Sequence, residues 1–251
     1  MKNGLGFLFL MSAACTGEKQ SEELPKSLED LNFQILRDFE GDGLEAPVIE
    51  LLALAGEEAA LNEGMSIPGP DITQLSDMEF SDNADPEKLV GAALSTLVDG
   101  NLDAYAAVVP ETDQRWNDPD TYPQWTRTLI EGTEADFLAG GWLRTENDII
   151  KKAVVEVPYP QREDYRWLDL EGSPALVSRG WLYKEGEGGA GTTAIAAFQV
   201  EILVAEGDGI RWFMSSWTQV ESIITDEDFI RKELLKGLWS CVDNTEVYVN
   251  E

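Results

Sequence analysis

The 251-residue chain contains no histidine. That absence removes Ser-His-Asp and Cys-His nucleophilic catalysis, zinc hydrolysis through an HExxH helix, and any His-ligated metal centre. Basic residues are scarce as well: 18 Lys and Arg stand against 48 Asp and Glu, a formal net charge of −30. Affinity for nucleic acid rests on cationic side chains neutralising phosphates, so no nucleic-acid partner is expected. Neutral or cationic ligands and basic proteins fit this surface better than anions do. The two cysteines, Cys15 and Cys241, are too few for a disulfide framework. No catalytic residue, cofactor motif or metal-ligand set is nominated. An enzyme on this chain would have to work with carboxylates, Lys, Tyr, Ser or Cys241.

Apolar mass is plentiful. Eight tryptophans, nine phenylalanines and 43% hydrophobic content suffice for one sizeable core, with or without a satellite. The organising stretch is Thr192 to Val220. Phe198, Val200, Ile202 and Val204 alternate with Gln199 and Glu201, the period of a strand with one buried face. Asp208-Gly209 reads as the turn that folds it onto Ile210 to Val220. Such a ribbon is marginal alone and needs strands or a helix over its apolar face. Strand patterns at 153–159, 165–170 and 175–184 complete a meander of about five antiparallel strands. After them, Thr225-Asp-Glu-Asp228 caps a final helix with an apolar stripe of Phe229, Leu234, Leu235 and Leu238. Val247 to Val249 suggest an edge strand. The expected fold is α+β: N-terminal helices packed on a curved antiparallel β-meander, closed by a C-terminal helix.

The first residues carry an address. Lys2 and Asn3 precede a short apolar run, Leu5 to Met11, far below the roughly 20 apolar residues that span a bilayer. Residues 1–14 therefore read as a signal peptide. Ser12-Ala13-Ala14 before Cys15 resembles the lipobox of bacterial lipoproteins, although Ser12 stands where that family carries an aliphatic residue. The resemblance implies cleavage before Cys15 and lipid attachment at Cys15, with Thr16 in second place favouring the outer over the inner membrane. Cleavage after Ala14 as an ordinary secretory signal is the alternative. Acylation of Cys15 would leave Cys241 without a partner, and Cys241 reads as a small buried hydrophobe.

Residues 18–87 hold nineteen acids and only Lys19, Lys26 and Arg37 as bases. Residues 15–87 are expected to be a lipidated N-terminus and acidic tether, repelled by anionic headgroups. Within it, Leu28, Leu31, Ile35 and Phe39 mark one helical face, and Val48, Leu51, Leu52 and Ala55 another. Residues 88–251 would then form the globular domain. Leu89, Ala92, Ala93 and Leu97 suggest a helix over 86–99, Leu102 to Val109 a second, Gln124 to Ile130 a third, and Ala135 to Leu138 extends the helical region. The pair of helices around Asp99-Gly-Asn-Leu-Asp-Ala-Tyr105 resembles the opening of NTF2-like domains, which implies helices over a curved sheet. Arg144-Thr-Glu-Asn-Asp148, Asp164 to Gly172 and Val177 to Trp181 resemble segments of acidic myxobacterial lipoproteins, a group with no assigned reaction.

Three motifs carry less than their letters promise. Asp38-Phe-Glu-Gly-Asp42 imitates the start of an EF-hand loop, but Ile49 falls where the bidentate Glu belongs, so a helix end followed by an acidic turn is expected. Gly186 to Gly191 matches GxGxxG yet leads into a strand, so it reads as a hairpin loop. Asp113, Asp118 and Asp120 are oxygen donors whose spacing turn chemistry explains equally well. Arg144, Glu146, Asp148 and Arg166 read as salt bridges beside the sheet. Trp167, Trp181, Trp212 and Trp217 read as strand residues of the core, with a ligand-lining role as the alternative.

The composite expectation is a lipid-anchored bacterial cell-envelope protein with a non-enzymatic binding or structural role. Its partners would be the membrane, through its acyl chains, and an envelope protein or a neutral or cationic ligand. The alternatives are a carboxylate hydrolase of glycosidase type and an NTF2-like carrier of a small ligand. A carboxyl of strongly raised pKa in a pocket would favour the first. An enclosed apolar pocket of a few hundred Å3 would favour the second.

Overall fold

The computed structural model describes residues 26–152, 155–222 and 226–250. Its strands are β1 (Met65–Ile67), β2 (Val90–Asp99), β3 (Gln124–Glu131), β4 (Leu143–Lys152), β5 (Glu156–Pro158), β6 (Gln161–Leu170), β7 (Ser173–Leu182), β8 (Gly186–Glu187), β9 (Thr193–Glu206) and β10 (Gly209–Glu221). The helices are α1 (Leu28–Asp38), α2 (Glu45–Glu57), α3 (Leu102–Val108), α4 (Glu134–Leu138) and α5 (Glu227–Asn250). The main path of the sheet runs β1-β2-β10-β9-β7-β6-β4-β3, all neighbours antiparallel, with β5 on β4 and β8 on β9.

The fold is α+β as expected, but the sheet has ten strands rather than about five. Residues 90–99 and 124–131, expected to be helical, are β2 and β3. Val90 to Ser95 and Val98 are buried, whichever face they point to. Small residues such as Ala92 and Ala93 therefore sit at helical spacing by coincidence, and no alternation betrays the strand. The long hairpin β9–β10 stands where it is expected, pairing Phe198 with Trp217 and Ile202 with Phe213. Its turn comes one residue earlier than the sequence suggests: Glu206 pairs with Gly209, and Gly207 carries the positive φ of +63°. Val247 and Val249, expected in an edge strand, belong to the last turns of α5.

Two layers cover the sheet. One face carries α1, α2 and the segment to Leu89, with Leu31, Ile35, Phe39, Val48 and Leu51 packed on Val177, Phe198, Val200, Ile202, Phe213 and Trp217. The expectation of a tether through residue 87 is therefore corrected for 28–87. Most of the segment's acids point outward while its apolar stripe is buried, and burial of that stripe outweighs the repulsion among the acids. A capping box at Ser27 and Asp30 starts α1. Cys15, the signal peptide and residues 15–25 of the tether lie outside the described residues, as do Ala153 and Thr225. The other face carries α3, α4 and α5, with Leu234, Leu238 and Val242 of α5 over Leu94, Leu203 and Trp212.

The first face holds a closed ionic layer. Arg179 and Asp164 are both fully buried, at 0% exposure. Arg179 Nε donates to Asp164 Oδ2 at 2.9 Å, Nη1 to Leu36 O at 2.8 Å and Asp77 Oδ2 at 2.7 Å, and Nη2 to Glu40 Oε1 at 3.1 Å. Arg144 grips the same Asp164 through Nε at 2.5 Å and Nη2 at 2.9 Å, and reaches Glu40 at 2.7 Å. Glu40 of the EF-hand-like turn is thus held by two arginines. Arg166 donates to Phe39 O and Gly41 O, Glu146 accepts from Tyr183 and Arg162, and Asp148 accepts from Gln124. Of the Gly186 to Gly191 stretch, Gly186 and Glu187 form the short strand β8, and Gly188 to Gly191 belong to the loop that turns into β9, as a hairpin loop leading into a strand should.

Candidate functional site

Between the sheet and α5 lies a cavity of about 140 Å3. Its floor follows from strand register. Tyr165, Ser178, Glu201 and Met214 form one cross-strand rung over β6, β7, β9 and β10. Glu163, Gly180, Gln199 and Ser216 form the next. Side chains two apart on a strand share a face, so all of these project toward α5. The roof is Leu234, Gly237, Leu238, Cys241 and Thr245 of α5, and one end is closed by Trp116, Asn117 and Tyr122.

Asn117 ties roof to wall. Its side-chain oxygen accepts from Cys241 Sγ at 3.1 Å and Thr245 Oγ1 at 3.2 Å, and its carbonyl accepts from Asn244 Nδ2 at 2.9 Å. The neighbouring acids act as the turn chemistry predicts: Asp118 Oδ1 accepts from Thr121 N, and Asp113 is taken by Arg115. Trp116 stacks on Tyr248 with ring centres 4.6 Å apart. Trp116 and Tyr122 also line a wider surface depression with Glu111, Arg115 and Pro119, which places that depression next to the cavity.

Four charged side chains line the cavity: Arg127, Lys151, Glu163 and Glu201. Two neutralise each other. Arg127 Nη2 meets Glu163 Oε2 at 2.5 Å, both side chains only 3% exposed. Glu163 also accepts from Tyr165 OH at 2.5 Å, Asn147 Nδ2 at 3.1 Å and Gln199 Nε2 at 2.7 Å. Arg127 spends its remaining donors on Asn147 Oδ1 and Val109 O. Gly180 permits the Gln199 contact, because a Cβ there would lie 2.8 Å from the Gln199 side chain.

Glu201 differs. Trp212 Nε1 donates to Oε1 at 2.8 Å and Ser178 Oγ to Oε2 at 3.2 Å, but neither donor is charged. Burial, then the nearby Glu163 charge, pushes its carboxyl up to about 7. Lys151 likewise has no carboxylate within ion-pair distance among the described residues. Its ammonium lies 6.0 Å from the Tyr122 ring centre and 5.7 Å from that of Tyr159, and burial lowers its pKa despite the more distant Glu233 and Asp118. Burial also raises the Cys241 thiol, so this cysteine faces the cavity as a neutral group.

Comparison with known proteins carries no argument about this site. No protein-family model and no curated protein matches the chain. Among solved structures, a STAR-related lipid transfer protein from Xanthomonas axonopodis aligns at 10% identity and TM-score 0.45, over 68% of this chain and 99% of its own. TTHA0849 from Thermus thermophilus aligns at 13% identity and TM-score 0.43, over 62% of this chain and 94% of its own. A START superfamily protein from Mycobacterium smegmatis aligns at 10% identity and TM-score 0.37, over 64% of this chain and 97% of its own. All three scores lie below 0.5, so the cavity's own chemistry has to carry the functional reading.

Of the four tryptophans singled out in the sequence, Trp212 is the one that lines the cavity. Trp181 and Trp217 belong to the opposite core and donate to Glu79 O and Pro68 O, while Trp167 donates to Phe137 O. Glu163, Gln199, Glu201, Arg127 and Lys151 are cavity residues that the sequence does not nominate. Gln199 and Glu201 nevertheless carry a signal: they are polar residues inside a 14-residue strand whose other positions are mostly apolar, and a charge there needs a reason.

Proposed function

We propose that the chain is a non-enzymatic binding domain of the bacterial cell envelope that takes a small molecule into the cavity between the sheet and α5. The observation that carries this reading is the Glu201 carboxylate, which lines the cavity and accepts hydrogen bonds from neutral donors alone. A purely structural interior would have closed that charge with a cation, as the opposite face does for Asp164. The cavity is smaller than the 300–1,000 Å3 of drug-sized sites and comparable to one that holds a benzene-sized molecule. That size and the polar floor favour a compact polar ligand over the apolar cargo of a carrier. The location rests on the lipobox-like Ser12-Ala-Ala-Cys15 and the signal-peptide pattern. A thermal-shift screen of neutral, cationic and anionic molecules of fewer than about ten non-hydrogen atoms tests the binding reading, since a ligand that binds only the folded state raises the melting temperature. No stabilisation by any of them at millimolar concentration overturns it. Intact mass and membrane fractionation beside Cys15→Ala test the anchor; a soluble, unacylated wild type overturns that part.

Glu201 also favours a second reading. A carboxyl near pH 7 in a pocket suits a general acid. Hydrolysis of a glycoside needs a second carboxylate free to act as nucleophile or base. Glu163 is engaged by Arg127, Tyr165, Asn147 and Gln199, which argues against that role. Turnover of an envelope glycan that disappears in Glu201→Gln would put the enzyme ahead.

A further inference from the structure

The charges that line the cavity do not close on themselves. Arg127 and Glu163 cancel, which leaves one anion, Glu201, and one cation, Lys151, each without a counterion at ion-pair distance among the described residues. A ligand with a single charge would satisfy one of them and leave the other as it is. Trp116, another lining residue, has an indole Nε1 that is buried and without a hydrogen-bond partner among the described residues. It belongs to the same wall as Tyr122, whose ring lies beside Lys151. The cationic wall therefore asks for an acceptor, and the Glu201 floor asks for a donor.

The topology separates the two. Glu201 is on β9 and Lys151 on β4, with β7 and β6 between them. Across those strands Glu201 faces Leu143 of β4, three strand spacings or roughly 14 Å away, and Lys151 lies eight residues further along β4. Two long side chains shorten that gap but do not close it. Leu203, Trp212 and Met214 supply apolar lining beside Glu201.

We propose that the cavity binds a linear zwitterion of the ω-amino-acid type, its ammonium on Glu201 and its carboxylate toward Lys151, with a short methylene chain between. This deepens the binding reading above and rests on it. Such a ligand is neutral as a whole, so a surface of net charge −30 does not repel it on approach.

Isothermal titration of the full chain with 6-aminohexanoate, hexylamine, hexanoate, glycine and phenol tests the proposal. The expected result is that 6-aminohexanoate binds roughly 30-fold or more tightly than hexylamine, hexanoate or glycine, since each of these leaves one partly buried charge unpaired or cannot span the two. Glu201→Gln and Lys151→Met are each expected to remove that advantage while retaining a cooperative melt. If a variant does not fold, the wild type still decides: an ammonium placed on Glu201 at pH 7 drives its ionisation and releases about half a proton, read from titrations in buffers of different ionisation enthalpy. Equal affinity for hexylamine and 6-aminohexanoate, or no proton release on binding, overturns the zwitterion. Binding of phenol alone overturns the zwitterion but leaves the cavity as a binding site. Binding of none of the five overturns the zwitterion, and the broader thermal-shift screen then decides the binding reading independently.

Discussion

Glu163 and Asp164 are neighbours on β6, both carboxylates, both buried, and they project to opposite faces of one sheet. On the α1 face, Asp164 is held by two arginines, and Arg179 spends its guanidinium on Asp164, Asp77, Glu40 and the Leu36 carbonyl. On the α5 face, Glu163 has one arginine and three neutral donors, and Glu201, two strands away on the same face, has neutral donors alone. The first arrangement docks the N-terminal helices onto the sheet. The second leaves charge facing a space. Burial alone does not distinguish a structural carboxylate from a functional one; what distinguishes them is whether the protein itself completes the pairing.

The comparison breaks most violently at Arg179. Arg179→Met keeps the apolar stem but strands Asp164 with Arg144 alone and leaves Leu36 O without its donor. A loss of roughly 3–5 kcal/mol is expected in urea unfolding. Phe39→Ala should cost about the same or slightly less, roughly 3–4 kcal/mol, because Phe39 is fully buried against Trp142 and beneath Arg179. A tether would not notice either change. Unaltered unfolding midpoints for both would mean that residues 28–80 do not form a layer of the domain.

That layer marks the limit of what composition reveals. The helical spacing of Leu31, Ile35 and Phe39 identifies α1, yet the density of acids around it suggests a solvated segment. Charge density reports the outward face of a helix and is silent about the inward one. The hairpin β9–β10 is legible because alternation around a Gly-Asp turn is a local pattern. β2 is not, because burial on both faces erases alternation, and β3 is not, because Gln124 to Ile130 is a short edge segment of mixed polarity. For the cavity, alternation puts Gln199 and Glu201 on the face opposite Phe198 and Val200, a face that sequence alone assigns to solvent. Only the long-range packing of α5, more than twenty residues further on, turns it into an interior. Arg127 and Lys151 reach the cavity from β3 and β4, and no local spacing links them to Glu201.

Glu201 offers a smaller effect with a defined pH signature. Its carboxyl is pushed up to about 7, against an ordinary value of 4.5. The folded chain holds that proton more tightly than the unfolded chain does, so this group favours the fold below about pH 4.5 and the advantage is lost as pH rises toward 7. The loss is on the order of 3 kcal/mol at most. Glu201→Gln keeps an acceptor and abolishes the ionisation. Near pH 5 the variant and the wild type should unfold at similar urea concentrations, and near pH 8 the variant should be the more stable. An identical difference at both pH values would show that Glu201 ionises as an ordinary surface carboxylate does.

The smallest expected effect belongs to the other unpaired charge, and it sharpens the contrast with Arg179. Lys151→Met removes an ammonium that makes no ion pair among the described residues and retains an unbranched side chain against Tyr122 and Tyr159. The variant loses two ring contacts worth up to about 1 kcal/mol. It gains by no longer holding a charge in a partly desolvated place, the effect that lowers the pKa of Lys151. These contributions oppose each other, and the unfolding free energy should stay within about 1 kcal/mol of the wild type. The fully buried cation on the α1 face would then be indispensable to the fold, while the half-buried one on β4 that faces α5 is dispensable to it. A loss comparable to that of Arg179→Met would place Lys151 among the structural charges and remove the distinction between the two faces on which the cavity's binding role rests.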